Sequence, residues 1–257
     1  MPITFLNRTL LPSHYVPDPI GDNINNKLRP ENNLQVDLAT PAFYEQPINK
    51  TIANIISDGE LPLWNPYQGL GVPLAGQYST RALFIYQLIE NISPYWLWDY
   101  FYLLKIIIAG FFTYLYLRKI GVSYYASILG GVFYQFSGSF TWFISLEQFS
   151  NVAMLIPIFL FAIENELQNK HLKSRLLTTI VIALILYAGQ PETSLYVLLL
   201  GFLYALLKLF NHNQLQPINI IQFFITWSLG FFLAAPQILL FLETINYSIH
   251  LHPIGGE

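Results

Sequence analysis

The sequence contains no cysteine among its 257 residues. This absence excludes disulfide bonds, thiolate metal sites and cysteine nucleophiles. Charged residues are also scarce, at 11% of the chain, whereas soluble domains carry roughly 25%. The deficit is concentrated in the part of the chain after Tyr100, where long apolar runs follow one another. The composition therefore predicts an integral membrane protein.

Several catalytic motifs are missing as well. The sequence has no P-loop, no GxGxxG and no GxSxG, so ATP hydrolysis and serine-type hydrolysis have no support. The net charge of −3 is small and gives no reason to expect a nucleic-acid partner. Two histidines, His250 and His252, are interpreted as solvated residues, because two residues at this spacing with no further ligands make a weak metal site.

The chain divides into two regions. Residues 1–97 are rich in acidic residues, asparagine and proline, and we predict that they form extracytoplasmic loops and interfacial helices. The predicted helices lie around Phe43–Ser57 and at roughly Arg81–Ile92. Residues 98–257 are predicted to form a transmembrane helical bundle. The fold class is therefore all-α, a polytopic membrane protein with about six transmembrane helices.

Six apolar runs define the predicted spans. They are Phe101–Leu117, Ala126–Leu146, Asn151–Ile163, Leu176–Ala188, Ser194–Phe210 and Ile218–Leu242. The third and fourth runs are shorter than the roughly 17–25 residues that a membrane span needs. The positions of the basic residues indicate whether these two runs cross the membrane.

The basic residues indicate the topology. After Tyr100, all lysines and arginines but Lys105 lie in three short connections, at residues 118–119, 164–175 and 208–217. Short loops rich in Lys and Arg are typical of the cytoplasmic side. An even number of crossings must then separate each pair of loops, which predicts hairpins near Glu147 and at Gly189–Glu192. Residues 1–97 and most of the later carboxylates consequently lie outside.

The segment Asp58–Gln77 joins several prolines and glycines to apolar and aromatic residues. Such a segment cannot be a regular helix or a central strand. Trp64 and Tyr67 are residue types that concentrate where a bilayer meets water. Two interpretations stay open, an interfacial loop that only covers helix ends and a rigid wall over a site at the membrane surface.

Two carboxylates, Asp37 and Glu192, are the main candidates for chemistry, and Glu147 beside Gln148 is a weaker candidate of the same kind as Glu192. Asp37 precedes a predicted helix and could accept a proton or bind a cation. Glu192 lies beside Gln190 at the tip of an apolar hairpin and could bind a polar ligand. Helix capping explains either residue equally simply.

The motifs NLQVD at 33–37, GELPLWNPYQGLGVPLAGQ at 59–77, GQPETSLY at 189–196 and AAPQILLFLETINYS at 234–248 together point to a family. The chain resembles the YfhO-like bacterial membrane proteins, which look like members of the GT-C class of multi-pass glycosyltransferases. The resemblance implies transfer of a sugar from a polyprenyl-phosphate donor to an extracytoplasmic acceptor in the cell envelope. It also implies a fragment that lacks a first transmembrane helix and a C-terminal part.

The resemblance further implies roles for individual residues. By position, Asp37 matches the first-loop carboxylate that activates the acceptor in GT-C enzymes, sometimes with a divalent metal ion. Arg81 or Lys105 would stabilise the departing phosphate, although Lys105 is more simply explained as a lysine that reaches to the interface. The predicted substrate-binding residues are Trp64, Asn65, Tyr67, Arg81, Gln190 and Glu192.

Two other functions stay open. A transporter or lipid-sugar flippase would carry ionisable residues inside the bilayer and inverted repeats. A non-catalytic scaffold would assemble with other membrane proteins and keep only the fold.

Overall fold

A computed structural model of the chain describes residues 44–144, 146–211 and 217–247, and these residues are mostly helical. Within residues 44–97, the structure has two α-helices, α1 and α2, two 3₁₀ turns and one short antiparallel ladder. Its elements are α1 (Gln46–Ser57), β1 (Trp64–Asn65), β2 (Val72–Pro73), the 3₁₀ turns Tyr78–Thr80 and Tyr95–Leu97, and α2 (Ile85–Ile92).

Helix α2 begins later than the sequence predicts. A helix is expected from Arg81, but Arg81 has a left-handed backbone with φ of 55°. A residue in this conformation cannot continue a right-handed helix. The regular helix therefore starts only at Ile85.

After Leu97, the described residues form eight further helices, which make up the bundle. They are α3 (Trp98–Lys119), α4 (Tyr124–Gln135), α5 (Gly138–Thr141), α6 (Glu147–Asn169), α7 (Leu172–Tyr187), α8 (Pro191–Asn211), α9 (Pro217–Leu233) and α10 (Ala235–Tyr247). The second predicted span is interrupted after Gln135, and the sixth is interrupted between Leu233 and Ala235, where the chain bends by 57°. The other four runs are continuous helices.

Three described helices are long and apolar enough to cross a membrane, namely Tyr95–Lys119, Glu147–Asn169 and Pro191–Phe210. The bent pair formed by α9 and α10 brings the number to as many as four. The membrane character is therefore supported by these helices, while six spans stay a prediction.

Contacts between helices define two ends of the bundle. At the loop end, where α3 and α6 begin, the Tyr78 hydroxyl bonds to the Leu186 carbonyl and residues 44–92 pack against the bundle. At the lysine end, where α3 and α6 finish, Lys119 Nζ donates to Asn165 Oδ1 at 3.3 Å. The helices α7 and α8 meet in a turn at the loop end, as the predicted hairpin requires.

Small residues hold the bundle helices close together. Buried alanines recur along the bundle, namely Ala109, Ala153, Ala162, Ala183 and Ala205. Small side chains are typical of helix packing in membranes, because lipid tails are as apolar as leucine and close van der Waals contact must supply the stabilisation.

A candidate functional site of buried charges

Five charged side chains are buried together at the loop end. They are Glu45, Arg81, Glu90, Lys105 and Glu147, each at most 3% exposed. We call these five residues the charged cluster. Charged residues are almost never fully buried unless they are paired, so the pairing within the cluster decides what it can do.

Arg81 joins the loop region to the bundle. Its Nη2 atom pairs with Glu45 and donates to Asn49 Oδ1 at 3.3 Å, while its Nη1 atom donates to Gln148 Oε1 at 3.2 Å. The left-handed backbone of Arg81 ends the 3₁₀ turn Tyr78–Thr80 and places the side chain here. Both terminal nitrogens of the guanidinium thus have partners, which come from α6, from α1 and from Glu45 just before α1.

Lys105 joins α3 to α6. Its Nζ lies 2.7 Å from Glu147 Oε2 and 3.5 Å from Glu90 Oε2, and the residue is 0% exposed. The expectation that Lys105 reaches to the membrane interface is therefore wrong. The Glu147 carboxylate compensates its charge inside the protein, with Glu90 as a second, more distant partner, so the ammonium does not need water.

Helix α2 contributes its polar side to the cluster. Gln87, Glu90 and Asn91 are all buried, and Gln87 Nε2 donates to Asn91 Oδ1 at 3.1 Å. These residues recur at spacings of three and four, which places them on one face of the helix.

Burial raises the pKa of Glu90 to about 8, because desolvation and the neighbouring Glu147 outweigh the attraction of Lys105 and Arg81. Desolvation also raises the pKa of Glu45, although the adjacent Arg81 opposes the change. The raised pKa favours the neutral form of Glu90, so Glu147 is the main counter-charge of Lys105.

Some buried polar atoms of this region make no hydrogen bond to the described residues. They include the acceptors Glu45 Oε1, Gln87 Oε1 and Glu90 Oε2 and the donors Arg81 Nε and Asn91 Nδ2. Each such atom carries a desolvation cost of about 1–3 kcal/mol. Buried donors and acceptors of this kind are typically bridged by ordered water.

The predicted site residues lie in different surroundings. Arg81 belongs to the charged cluster, whereas Trp64 and Tyr67 are 52% and 78% exposed on the loop surface. Asn65 is buried, and its Oδ1 accepts a hydrogen bond from the Tyr67 backbone N–H at 3.0 Å, which stabilises the turn. Asp37, the predicted base, lies outside the described residues.

The turn between α7 and α8 lies against Arg81. A Cβ atom added to Gly189 would be 2.3 Å from Arg81 Cγ, so this turn contacts the charged cluster through a glycine. Gln190 is half-buried and Glu192 is exposed at the start of α8. Gln190 therefore directly follows the glycine that contacts Arg81, whereas Glu192 lies at the surface.

Sequence reasoning missed Glu45 and Glu90 and gave little weight to Glu147 and its neighbour Gln148. A signal for Glu90 was available, because Ile85, Ile89 and Ile92 alternate with polar residues at helical spacing. No comparable pattern marks Glu45, whose partner Arg81 is distant in sequence.

A second polar group lies at the lysine end. Lys208 Nζ is 2.8 Å from Glu164 Oε1, and the Tyr204 hydroxyl also donates to Glu164. Lys208 and Glu164 border an open cleft of about 390 Å³ that Lys119 and Gln168 also line. Unlike the charged cluster, this group is in contact with open space.

Comparisons with protein-family models, with curated proteins and with solved structures give no match for the chain. The family resemblance therefore stays a prediction. Within the described residues, no group of three His, Asp or Glu side chains is arranged to hold a metal ion.

Proposed function

We propose that the chain is a membrane glycosyltransferase of the GT-C type, which moves a sugar from a polyprenyl-phosphate donor to an extracytoplasmic acceptor. The observation that carries the proposal is the charged cluster. It is built jointly by the loop region and by α3 and α6, at the end of the bundle where the acidic loops are predicted to gather. The motif resemblance supplies the substrate class.

Asp37 is the proposed base. It would take the proton of an acceptor hydroxyl while the acceptor oxygen bonds to the anomeric carbon and the bond to the lipid phosphate breaks. The chain limits how far Asp37 lies from the charged cluster, since it precedes Glu45 by eight positions, which span at most about 29 Å. The electron pair of the broken bond leaves with polyprenyl phosphate.

The structure changes the proposed role of the two cations. Arg81 and Lys105 are each paired with a carboxylate, so neither is a free ligand for the departing phosphate. We assign them as positioning residues, which hold the loop region on α3 and α6. The proposed walls of the sugar pocket are Trp64 and Tyr67, whose exposed rings can stack on a sugar.

The test uses full-length protein reconstituted in liposomes with a polyprenyl-phosphate sugar and a hydroxyl acceptor. We expect release of polyprenyl phosphate, and loss of that release in Asp37→Asn. The matched control is Asp58→Asn, an exposed carboxyl at the end of α1. Release that survives Asp37→Asn would remove Asp37 from the mechanism, and no release by the unchanged protein would contradict the proposal.

A transporter or lipid-sugar flippase is the second candidate. The buried pair Lys105–Glu147 and the 57° bend between α9 and α10 favour it, because buried ionisable groups and broken helices are typical of transport pathways. A flippase would move the labelled lipid-linked sugar across the liposome membrane without releasing polyprenyl phosphate. Measuring both quantities in one preparation separates the two candidates.

A further inference from the structure

Helix α2 has its polarity reversed relative to a helix on the surface of a soluble protein. Its polar residues Gln87, Glu90 and Asn91 are at most 3% exposed. Its isoleucines are instead on the surface, with Ile85, Ile89 and Ile92 exposed by 54%, 47% and 58%. In water this arrangement would be costly twice, because apolar area is hydrated and polar groups are desolvated.

The depth of α2 along the bundle can be read from its contacts with α3. The Tyr86 hydroxyl donates to the Phe101 carbonyl at 2.6 Å, and Glu90 lies 3.5 Å from Lys105. Lys105 is seven residues beyond Trp98, where α3 begins, and therefore about 10 Å along its axis. Since an apolar layer is about 30 Å thick, Glu90 lies level with its outer third if α3 crosses from Trp98.

The backbone that leads into α2 is compatible with this depth. Irregular backbone is tolerated inside a membrane only where the protein buries it. Tyr78, Thr80, Arg81, Ala82 and Phe84 are all buried, and Thr80 Oγ1 bonds to the carbonyl of Leu74 at 2.8 Å. The approach to α2 is thus shielded by the protein itself.

The next helix, α3, is a candidate membrane span that also has exposed apolar side chains. They include Leu103, Leu104, Ile107 and Phe111. The rings of Tyr86 and Phe101, with centroids 5.8 Å apart, hold α2 against α3.

We propose that α2 is a membrane-embedded helix that does not cross the bilayer, with Ile85, Ile89 and Ile92 in contact with lipid acyl chains. Its polar face then closes the charged cluster from the lipid side, so the cluster lies at membrane depth. This inference is independent of the proposed enzymatic activity, since it concerns only where the helix lies.

The absence of cysteine makes the test direct. Single variants Ile85→Cys, Ile89→Cys and Ile92→Cys are spin-labelled in phosphatidylcholine liposomes, and collisions with oxygen and with a polar nickel chelate are measured. Ile107→Cys on α3 is the lipid-facing control, and Glu60→Cys on the exposed loop is the water-facing control. All five side chains are exposed, so labelling leaves the packed interior unchanged.

We expect the α2 labels to match Ile107→Cys, with oxygen accessible. Nickel collisions should be at least about tenfold lower than at Glu60→Cys, because a polar complex is excluded from hydrocarbon. Nickel access equal to that of Glu60→Cys would place α2 in water and overturn the proposal. Low collision with both reagents would mean that another part of the protein covers the row, and would overturn it equally.

Discussion

Each end of the bundle has a lysine–glutamate ion pair, buried at one end and partly exposed at the other. At the loop end Lys105 and Glu147 are 2.7 Å apart, and at the lysine end Lys208 and Glu164 are 2.8 Å apart. The Lys105 side chain is 0% exposed, whereas that of Lys208 is 29% exposed beside an open cleft. The geometry is thus matched and the solvation differs.

Because of this difference, the two ion pairs contribute differently to the stability of the fold. A buried ion is several kcal/mol less stable than in water unless a partner compensates it. The charged cluster at the loop end is therefore stable only when each buried ion keeps its partner. An ion pair in contact with water contributes about 1 kcal/mol or less. The lysine end can therefore lose a member without consequence for the fold.

The largest expected effect comes from removing one cation at each end. Lys105→Met leaves Glu147 buried without its cation, and we expect a loss of about 3–5 kcal/mol in the free energy of unfolding. Lys208→Met is the matched control, because Glu164 keeps its hydrogen bonds from Tyr204 and Gln168. Its expected loss is about 1 kcal/mol or less.

Reversible unfolding of the purified protein in mixed micelles measures both values. Similar losses in the two variants would contradict the comparison, since they would mean that water reaches Lys105. A further variant, Lys105→Met with Glu147→Met, should recover much of the loss, because it leaves neither member of that pair unpaired.

The second prediction concerns pH and Glu90. Its pKa is about 8 in the folded protein, above the ordinary value of 4.5. The folded state then binds more protons than the unfolded state between these values, so the free energy of unfolding falls as pH rises from 4.5 to 8. The fall should amount to at most a few kcal/mol.

Glu90→Gln imitates the protonated carboxyl and should remove this slope, while Glu60→Gln on the exposed loop should keep it. Unfolding measured at intervals from pH 5 to pH 9 gives the slope for each variant. An unchanged slope in Glu90→Gln would show that another group carries the pH dependence.

The membrane character and most helix positions were predictable, because long apolar runs and basic loops are local features of the sequence. The turn at Gly189–Glu192 followed from helix length and charge alone. The interruptions after Gln135 and at Ala234 were missed, because no charged residue marks either of them. Ser137 and Pro236 lie beside the two breaks, but such residues are also tolerated inside membrane helices and do not by themselves predict an interruption.

The charged cluster was mostly not predictable. Lys105 and Glu147 are 42 residues apart, and Arg81 and Glu45 are 36 apart. Local periodicity carries no information on such pairing. The position of Lys105 near the start of an apolar run predicts an interfacial lysine. Only the three-dimensional structure shows the carboxylates with which it pairs.

The smallest expected effect compares two glycines with positive φ. Gly189 at the loop end has φ of 103° and Gly121 at the lysine end has φ of 91°. A Cβ on Gly189 would lie 2.3 Å from Arg81 Cγ and 3.2 Å from Gln148 Cβ, whereas nothing lies within 4 Å of a Cβ on Gly121. An alanine would therefore strain the backbone at either position, but only at Gly189 would its Cβ also clash with neighbouring side chains.

We expect Gly189→Ala to lower the free energy of unfolding by about 1–3 kcal/mol more than Gly121→Ala, which is the cost typical of overpacking. Arg81 cannot move away freely, since Glu45, Asn49 and Gln148 hold its guanidinium. The same micelle unfolding measurement applies to both variants. Equal losses would mean that Arg81 relaxes easily, and the loop end would then be more adaptable than its hydrogen bonds indicate.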